Sequence, residues 1–380
     1  MSRPDGFLTL AALVLLLALF IKCTVFCGQQ VRRMTWRTRL RIRPGAGFAS
    51  HWEITFRFSR LAAVRHGRRC RPDMRFTDRV ICPARAYAVR LGRAQAGRTV
   101  YGRGEDQVGI IAPQRTNKTG ILADRVYGHP GAAVAVTTRA DLYALTSGKR
   151  AQLGPVQVFN PEGIGGIEST FRADIVADCL DPQVAIRTAS ALTGPVDGSG
   201  EMQFWMEKAV FAMAALMHAA ALLGQDMSAV WRWSQRLGDP IKDALARPGA
   251  SPELLAAAAE IQREGRAADS VRMTMARSLA WVGVPALRHA VSGTGIRPFH
   301  AARWIQDTGT LYVINSGELS AAAPLFRAVI EKIHRDCVLA GSLTPFGRIP
   351  NPAGFFLDEV TQTASVPLAD WLATSAGSGI

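Results

Sequence analysis

The sequence predicts an α/β protein: a largely parallel sheet with helices on its faces, an all-helical lobe inserted into it, and an N-terminal transmembrane helix. Three observations predict this. From Gly97 onward, short apolar runs alternate with helical stretches, the pattern of strands buried on both faces of a sheet. Between residues 194 and 298 the runs stop and helical patterning takes over. The chain also opens on an unbroken apolar run, Phe7 to Ile21.

Extended through Cys23, Val25 and Phe26, that run reaches roughly 21 residues, which at ~1.5 Å per residue crosses a ~30 Å hydrocarbon layer. Lys22 near its end can reach back to the interface. A cleaved signal peptide is the rival reading, but only Arg3 marks a basic start and no A-x-A site follows. Arg32, Arg33, Arg37, Arg39, Arg41 and Arg43 come next, and positive flanks stay on the cytoplasmic side. Residues 1–28 are therefore expected to form a single-pass anchor in the cell membrane, with the C-terminal domain cytoplasmic.

The net charge of +15 is concentrated beside this run. Between Lys22 and Arg103, Lys22 and nineteen arginines face only Glu53, Asp73 and Asp78, a local excess of 17 positive charges. The remainder has the charge balance of an ordinary soluble domain. Residues 29–95 read as a basic juxtamembrane segment with Trp36, Trp52, Phe56 and Phe58 interleaved, and the alternation from His51 to Phe58 suggests a strand. Membrane lipid is the favoured partner, each arginine contributing ~1 kcal/mol at an anionic surface; nucleic-acid phosphate is the alternative. Six cysteines (Cys23, Cys27, Cys70, Cys82, Cys179 and Cys337) lack C-x-x-C spacing, so neither a zinc site nor a disulfide framework is indicated. A ligand set of His51, His66, Cys70 and Cys82 would be irregularly spaced.

Expected strands are Val108 to Ala112, Ala132 to Val136, Val156 to Phe159, Leu311 to Ile314 and Phe355 to Leu357. They assign residues 96–193 and 299–380 to one α/β domain and 194–298 to the helical lobe. In the lobe, Met202 to Leu223 is apolar on nearly every face, so a buried helix is expected. Ser251-Pro252-Glu253 is a helix start, and Asp269-Ser270 is another. Met202, Met206, Met213 and Met217 read as core filler.

Two stretches carry chemistry. Ala112-Pro113-Gln114-Arg115-Thr116-Asn117-Lys118-Thr119 has the length and ending of the phosphate-binding loop G-x-x-x-x-G-K-[ST]. There, backbone N–H groups surround the phosphates of ATP, the lysine reaches the outer ones, and the threonine helps hold Mg²⁺. Ala112 and Asn117 replace both glycines; Asn tolerates a positive φ best after Gly. Lys118 to Val126 reads as the following helix. Asn117-Lys118-Thr119 also fits a glycosylation sequon, irrelevant on the cytoplasmic side. The second stretch, Gly354-Phe355-Phe356-Leu357-Asp358-Glu359, is an apolar strand ending in two carboxylates. Motor ATPases use such an Asp for Mg²⁺ and such a Glu to polarise the attacking water.

From about Leu91 to Ile380 the chain resembles the conjugative coupling proteins of type IV secretion systems, the TraG/TraD-like DNA-transfer ATPases, in their actinobacterial style. The resemblance rests on the loop at 112–119, the stretches 134–142 and 154–161, Phe204-Trp205, the stretch 309–314, Phe356-Leu357-Asp358-Glu359 and the closing Gly377-Ser378-Gly379-Ile380, in order. It implies a RecA-like P-loop NTPase sheet with an inserted all-helical lobe, an N-terminal anchor and a hexameric homo-oligomer. The ring would use ATP to move DNA or a relaxase–DNA complex into the secretion channel. It also implies that Lys118 contacts phosphates, Thr119 and Asp358 serve Mg²⁺, and Glu359 is the catalytic base. Family members continue past the position of Ile380 with further core strands, so the sheet is expected to lack an edge. A catalytically impaired relative acting as a membrane-tethered adaptor is the alternative expectation. A membrane-anchored DNA-binding protein of another kind ranks last, because no recognition motif accompanies the charge.

Overall fold

The computed structural model describes residues 49–380 except 95–96, 114, 196–199, 236–238, 248, 262–264, 293–298, 318–319 and 364–365. The expected anchor at 1–28 and the loop residue Gln114 lie outside the described residues. Among those described, no helix is long and apolar enough to cross a membrane.

The centre of the molecule is a four-stranded parallel sheet built from β3 (Ala133–Thr137), β4 (Val156–Phe159), β5 (Thr310–Ile314) and β6 (Gly354–Leu357), in the order β4-β5-β3-β6. β3 and β5 are buried along their whole length, as central strands covered on both faces must be. Alternation sorts their side chains. Val134, Val136, Leu311 and Val313 enter the large core shared with the helical lobe, whereas Ala135, Tyr312 and Ile314 pack under α4 (Lys118–Gly128) and α5 (Asp141–Arg150). The expected runs at 132–136, 156–159, 311–314 and 355–357 are all strands.

Val108 to Ala112 is not. The segment is irregular and exposed, with Ile111 fully so, and among the described residues no strand pairs with the outer edge of β6. An apolar run becomes a strand only when a neighbour takes up its N–H and C=O groups.

One buried cation ties the sheet to its helices. Arg150, at the end of α5, donates to the carbonyls of His129 (2.5 Å) and Gly131 (2.7 Å) and to Thr310 Oγ1 (2.6 Å). A longer contact reaches the Val126 carbonyl at 3.5 Å. It thus collects backbone oxygens left over at the C-terminal end of α4. Gly131 must be glycine, because a Cβ there would strike the Pro352 carbonyl.

The lobe comprises α7 (Gly200–Leu222), α8 (Met227–Gln235), α9 (Asp239–Leu245), α10 (Pro252–Ile261), α11 (Arg266–Leu279) and α12 (Pro285–Ser292), entered through α6 (Pro182–Thr193). α7 is its axis. Ala209, Ala212, Ala214, Ala215, Ala219 and Ala220 are all buried, and such small side chains let neighbouring helices approach closely. Met213 and Met217 are fully buried filler. His218 Nδ1 lies 2.8 Å from the Cys179 carbonyl, which assigns that nitrogen the proton. α10 starts as expected, with Ser251 Oγ accepting from the Leu254 N–H. α11 starts at Arg266, one turn before Asp269-Ser270; Asp269 instead pairs with Arg272 along the helix. After the lobe, α13 (Ala301–Gln306) leads into β5 and α14 (Ala323–Ser342) covers the lobe side of the sheet, with Phe326 edge-on to Phe159. Beyond β6 the chain ends in α15 (Val360–Thr363) and α16 (Leu368–Ser378).

Residues 50–103 form a small unit with its own core of Ala63, Val64, Ala84, Tyr87 and Ala88. It contains α1 (His51–Arg57), α2 (Arg60–Cys70), α3 (Phe76–Ile81) and an antiparallel hairpin, β1 (Ala88–Arg93) and β2 (Thr99–Arg103). The hairpin crosses the boundary drawn at residues 95 and 96. His51 to Phe58 is a helix and not the expected strand. Ser50 caps it by accepting from the Glu53 N–H, and Glu53 pairs with Arg57 one turn on. Those local bonds outweigh a two-residue alternation that nothing pairs with. Arg348 bridges this unit to the main domain, donating to the Arg69 carbonyl and to Glu105.

Candidate functional site

The functional side chains gather at the C-terminal ends of β3 and β6, facing the N-terminus of α4. Open parallel sheets bind ligands there, because loops, strand ends and helix termini converge on one rim. Asn117 is the hinge of the arrangement. It adopts φ 62° and ψ 36°, the left-handed conformation, immediately before α4 begins at Lys118. That conformation is what a glycine would supply. Arg115 has φ 61° as well, so the loop turns its backbone sharply twice within three residues.

Gly120 makes room for this turn. A Cβ at Gly120 would collide with the Asn117 side-chain amide, which folds over the first turn of α4. Thr116 Oγ1 closes the loop by donating to the Pro113 carbonyl at 2.7 Å. Lys118 Nζ reaches back across the loop and donates to the Ala112 carbonyl at 3.0 Å. Its ammonium is therefore held over the loop mouth, where a phosphate oxygen could take the place of that carbonyl.

The two carboxylates meet the loop from β6. Asp358 continues the sheet register by donating its N–H to the Val136 carbonyl. Thr119 Oγ1 donates to Asp358 Oδ2 at 3.4 Å, joining two groups 239 residues apart in sequence. Burial first, then the neighbouring Glu359 charge, push the Asp358 carboxyl above the usual range, while the Thr119 hydrogen bond pulls it back. A group crowded in this way gains from a nearby cation. Glu359 sits at φ 49°, and its Oε2 accepts from Thr138 Oγ1 at 3.0 Å. Thr138 directly follows β3, so this bond spans the two adjacent strand ends.

The donor set suits Mg²⁺. That ion keeps several waters and binds through one or two protein oxygens together with substrate phosphates. The Thr119 hydroxyl and an Asp358 carboxylate oxygen, side by side at the loop, would provide the protein's share. Among the described residues no cluster of three His, Cys, Asp or Glu forms a complete protein cage, and none is needed for an ion held this way.

Of the residues singled out in the sequence, Pro113, Thr116, Asn117, Lys118 and Thr119 form one loop, and Thr119, Asp358 and Glu359 converge on its rim. Arg115 lies exposed on the loop. Ala112 begins it, at the end of the irregular segment described above. Sequence reasoning passed over Thr138 and Gly120. Two threonines directly after a buried strand were the available signal for the first.

Fold and site together define an α/β protein built on a parallel sheet whose loops and carboxylates converge at the strands' C-terminal rim. Among solved structures the chain is similar to the bacterial conjugative coupling protein TrwB lacking 70 N-terminal residues, in an unbound form, with 17% identity and a TM-score of 0.51. That similarity covers 70% of this chain and 59% of that shortened chain. It is also similar to TrwB in complex with the non-hydrolysable GTP analogue GDPNP, with 16% identity, a TM-score of 0.50 and coverage of 70% and 60%. The chain therefore shares the coupling-protein fold and spans 59–60% of the length of those solved chains. No protein-family model matches the sequence, and no curated protein does.

Proposed function

We propose that this chain is a membrane-anchored, coupling-protein-like ATPase that uses ATP to recruit DNA or a relaxase–DNA complex and move it into a type IV secretion channel. The anchor in this reading is residues 1–28, the α/β domain is cytoplasmic, and the working form is a hexameric ring. The observation that carries the nucleotide part is Asn117, which takes up the left-handed turn of the missing glycine, with Lys118 folded back over the loop and Thr119 set against Asp358. TrwB, with the same fold, has been captured with a nucleotide analogue.

Each residue has a definite task in this reading. The loop N–H groups and the start of α4 attract phosphate oxygens, and Lys118 neutralises the outer ones. Thr119 and Asp358 would hold Mg²⁺, which neutralises phosphate charge. Glu359, fixed by Thr138, orients the attacking water and accepts its proton.

A second reading is a catalytically impaired adaptor that keeps the fold. The irregular, exposed segment 108–112 favours it, because a phosphate loop works best when the strand before it is held in the sheet. Binding of ATP by the purified full chain, with and without Mg²⁺, against Lys118→Ala separates the outcomes. Saturable binding lost in the variant, with turnover, supports the motor. Binding without turnover supports the adaptor. A folded chain that binds no nucleotide removes both the site and the motor.

A further inference from the structure

α3 is built inside out. Its single buried side chain is an arginine, Arg79, which donates to the carbonyls of Val64 and Met74. Phe76, Val80 and Ile81 face outward, 60%, 48% and 80% exposed. Amphipathic helices of soluble domains do the reverse. The outward apolar surface extends to α2, because Arg60 at its start donates to the carbonyls of Val80 and Cys82. Leu61, the next residue on α2, is 67% exposed. On α1, Trp52 and Phe56 stack at 5.6 Å and are also exposed.

Arginines accompany this surface. Arg65 and Arg68 follow Leu61 on the same face of α2, one and two turns on, and Arg57 and Arg69 are exposed as well. The occupant must therefore be anionic and must also receive bulky aliphatic and aromatic groups. Phosphates of a duplex meet the first condition and offer nothing to Leu61, Val80 or Ile81. The headgroup and acyl boundary of an anionic bilayer meets both. Ser50 lies only 24 residues beyond Phe26, the end of the apolar run, a stretch of chain that reaches at most about 86 Å.

We infer that the α1–α3 unit is a membrane-docking module that lays Leu61, Phe76, Val80 and Ile81 into an anionic lipid surface, with its arginines at the headgroups. This deepens the anchored reading above but stands on the folded residues 50–82. It gives the protein a second, peripheral contact with the bilayer, set by lipid charge.

The test uses full-length protein reconstituted into vesicles, with the photo-crosslinking residue benzoylphenylalanine placed singly at position 81, at position 273 (an exposed methionine of the helical lobe), or at position 15 within the apolar run. Position 81 is expected to form lipid adducts in vesicles containing phosphatidylglycerol, at least ~10-fold more than in phosphatidylcholine alone. Position 273 is expected to form none. Equal yields in the two lipids, no adduct at 81, a duplex-DNA adduct at 81 when DNA is supplied, or an adduct with a second copy would each overturn the inference. Position 15 reports the anchor separately: an adduct there and none at 81 removes the docking face and leaves the anchor standing, and the converse removes the anchor.

Discussion

Replacing Arg150 by methionine isolates the most consequential polar group in the interior. The side chain is fully buried, and among the described residues no carboxylate pairs with it. Burial holds its pKa below the usual arginine value, yet its donors are spent on His129, Gly131 and Thr310. Methionine fills a similar volume and donates nothing. Two buried carbonyls then lose their partner, at about 1–3 kcal/mol each, while removal of a desolvated charge returns part of that cost. A net loss of about 3 kcal/mol is expected, which for a body of about 300 residues lowers Tm by roughly 4–5 °C. Thermal unfolding followed by circular dichroism reads it, with Arg65→Met, on an exposed face, as the unchanged control. Hydrogen exchange should rise at the last turn of α4 before it rises elsewhere. A shift below about 2 °C, or an Arg150→Lys variant as stable as the parent, would refute the carbonyl-collecting role, since one ammonium cannot span the same oxygens.

Asn117→Gly should leave ATP affinity unchanged or raise it, whereas Asn117→Val, forced into a left-handed conformation costing about 1–2 kcal/mol, should lose roughly tenfold; isothermal titration distinguishes them, and equal affinity for both would disprove the hinge. His334 is stacked on Trp371 at 4.0 Å, with Nε2 2.7 Å from Ser375 Oγ. Burial lowers its pKa to about 4, so the unfolded chain binds the proton first as pH falls. Its contribution is fully present above pH 6.5 and is lost toward pH 4, at most about 3 kcal/mol. Burial raises the nearby Glu331 to about 7, and that group acts oppositely, losing stability as pH rises from about 4.5 to 7. The stability difference between wild type and His334→Phe across pH 4–7 therefore reports the histidine alone, and a flat difference would contradict its assignment.

Strands β3 and β5 were legible because burial on both faces leaves an uninterrupted apolar run, and α4 and α10 because their starts carry local signals. The sharp turn ahead of α4 was legible even without its glycines, since Asn117 is a residue that tolerates a positive φ. The misreadings have one physical origin. Trp52, Ile54, Phe56 and Phe58 satisfy an alternation of two, yet Trp52 and Phe56 also satisfy a helical turn, and only the Ser50–Glu53 cap decides between them. Val108 to Ala112 looks like a buried strand, but pairing depends on a neighbour that composition cannot name. Arg150 and Thr138 were invisible because backbone carbonyls carry no sequence signal and because their side-chain partners, Thr310 and Glu359, lie 160 and 221 residues away.

The helical lobe interrupts the sheet in sequence, but in space it supplies one wall of its core. Val134, Val136, Leu311 and Val313 share a single apolar cluster with Met213, Leu216 and Trp281. Cutting out residues 194–298 to obtain a minimal domain would leave α14 over the sheet but bare the buried alanines and leucine of α6 that pack against α7. A trimmed protein should therefore come out insoluble, because α6, packed against α14 on one side, would lose its cover on the other.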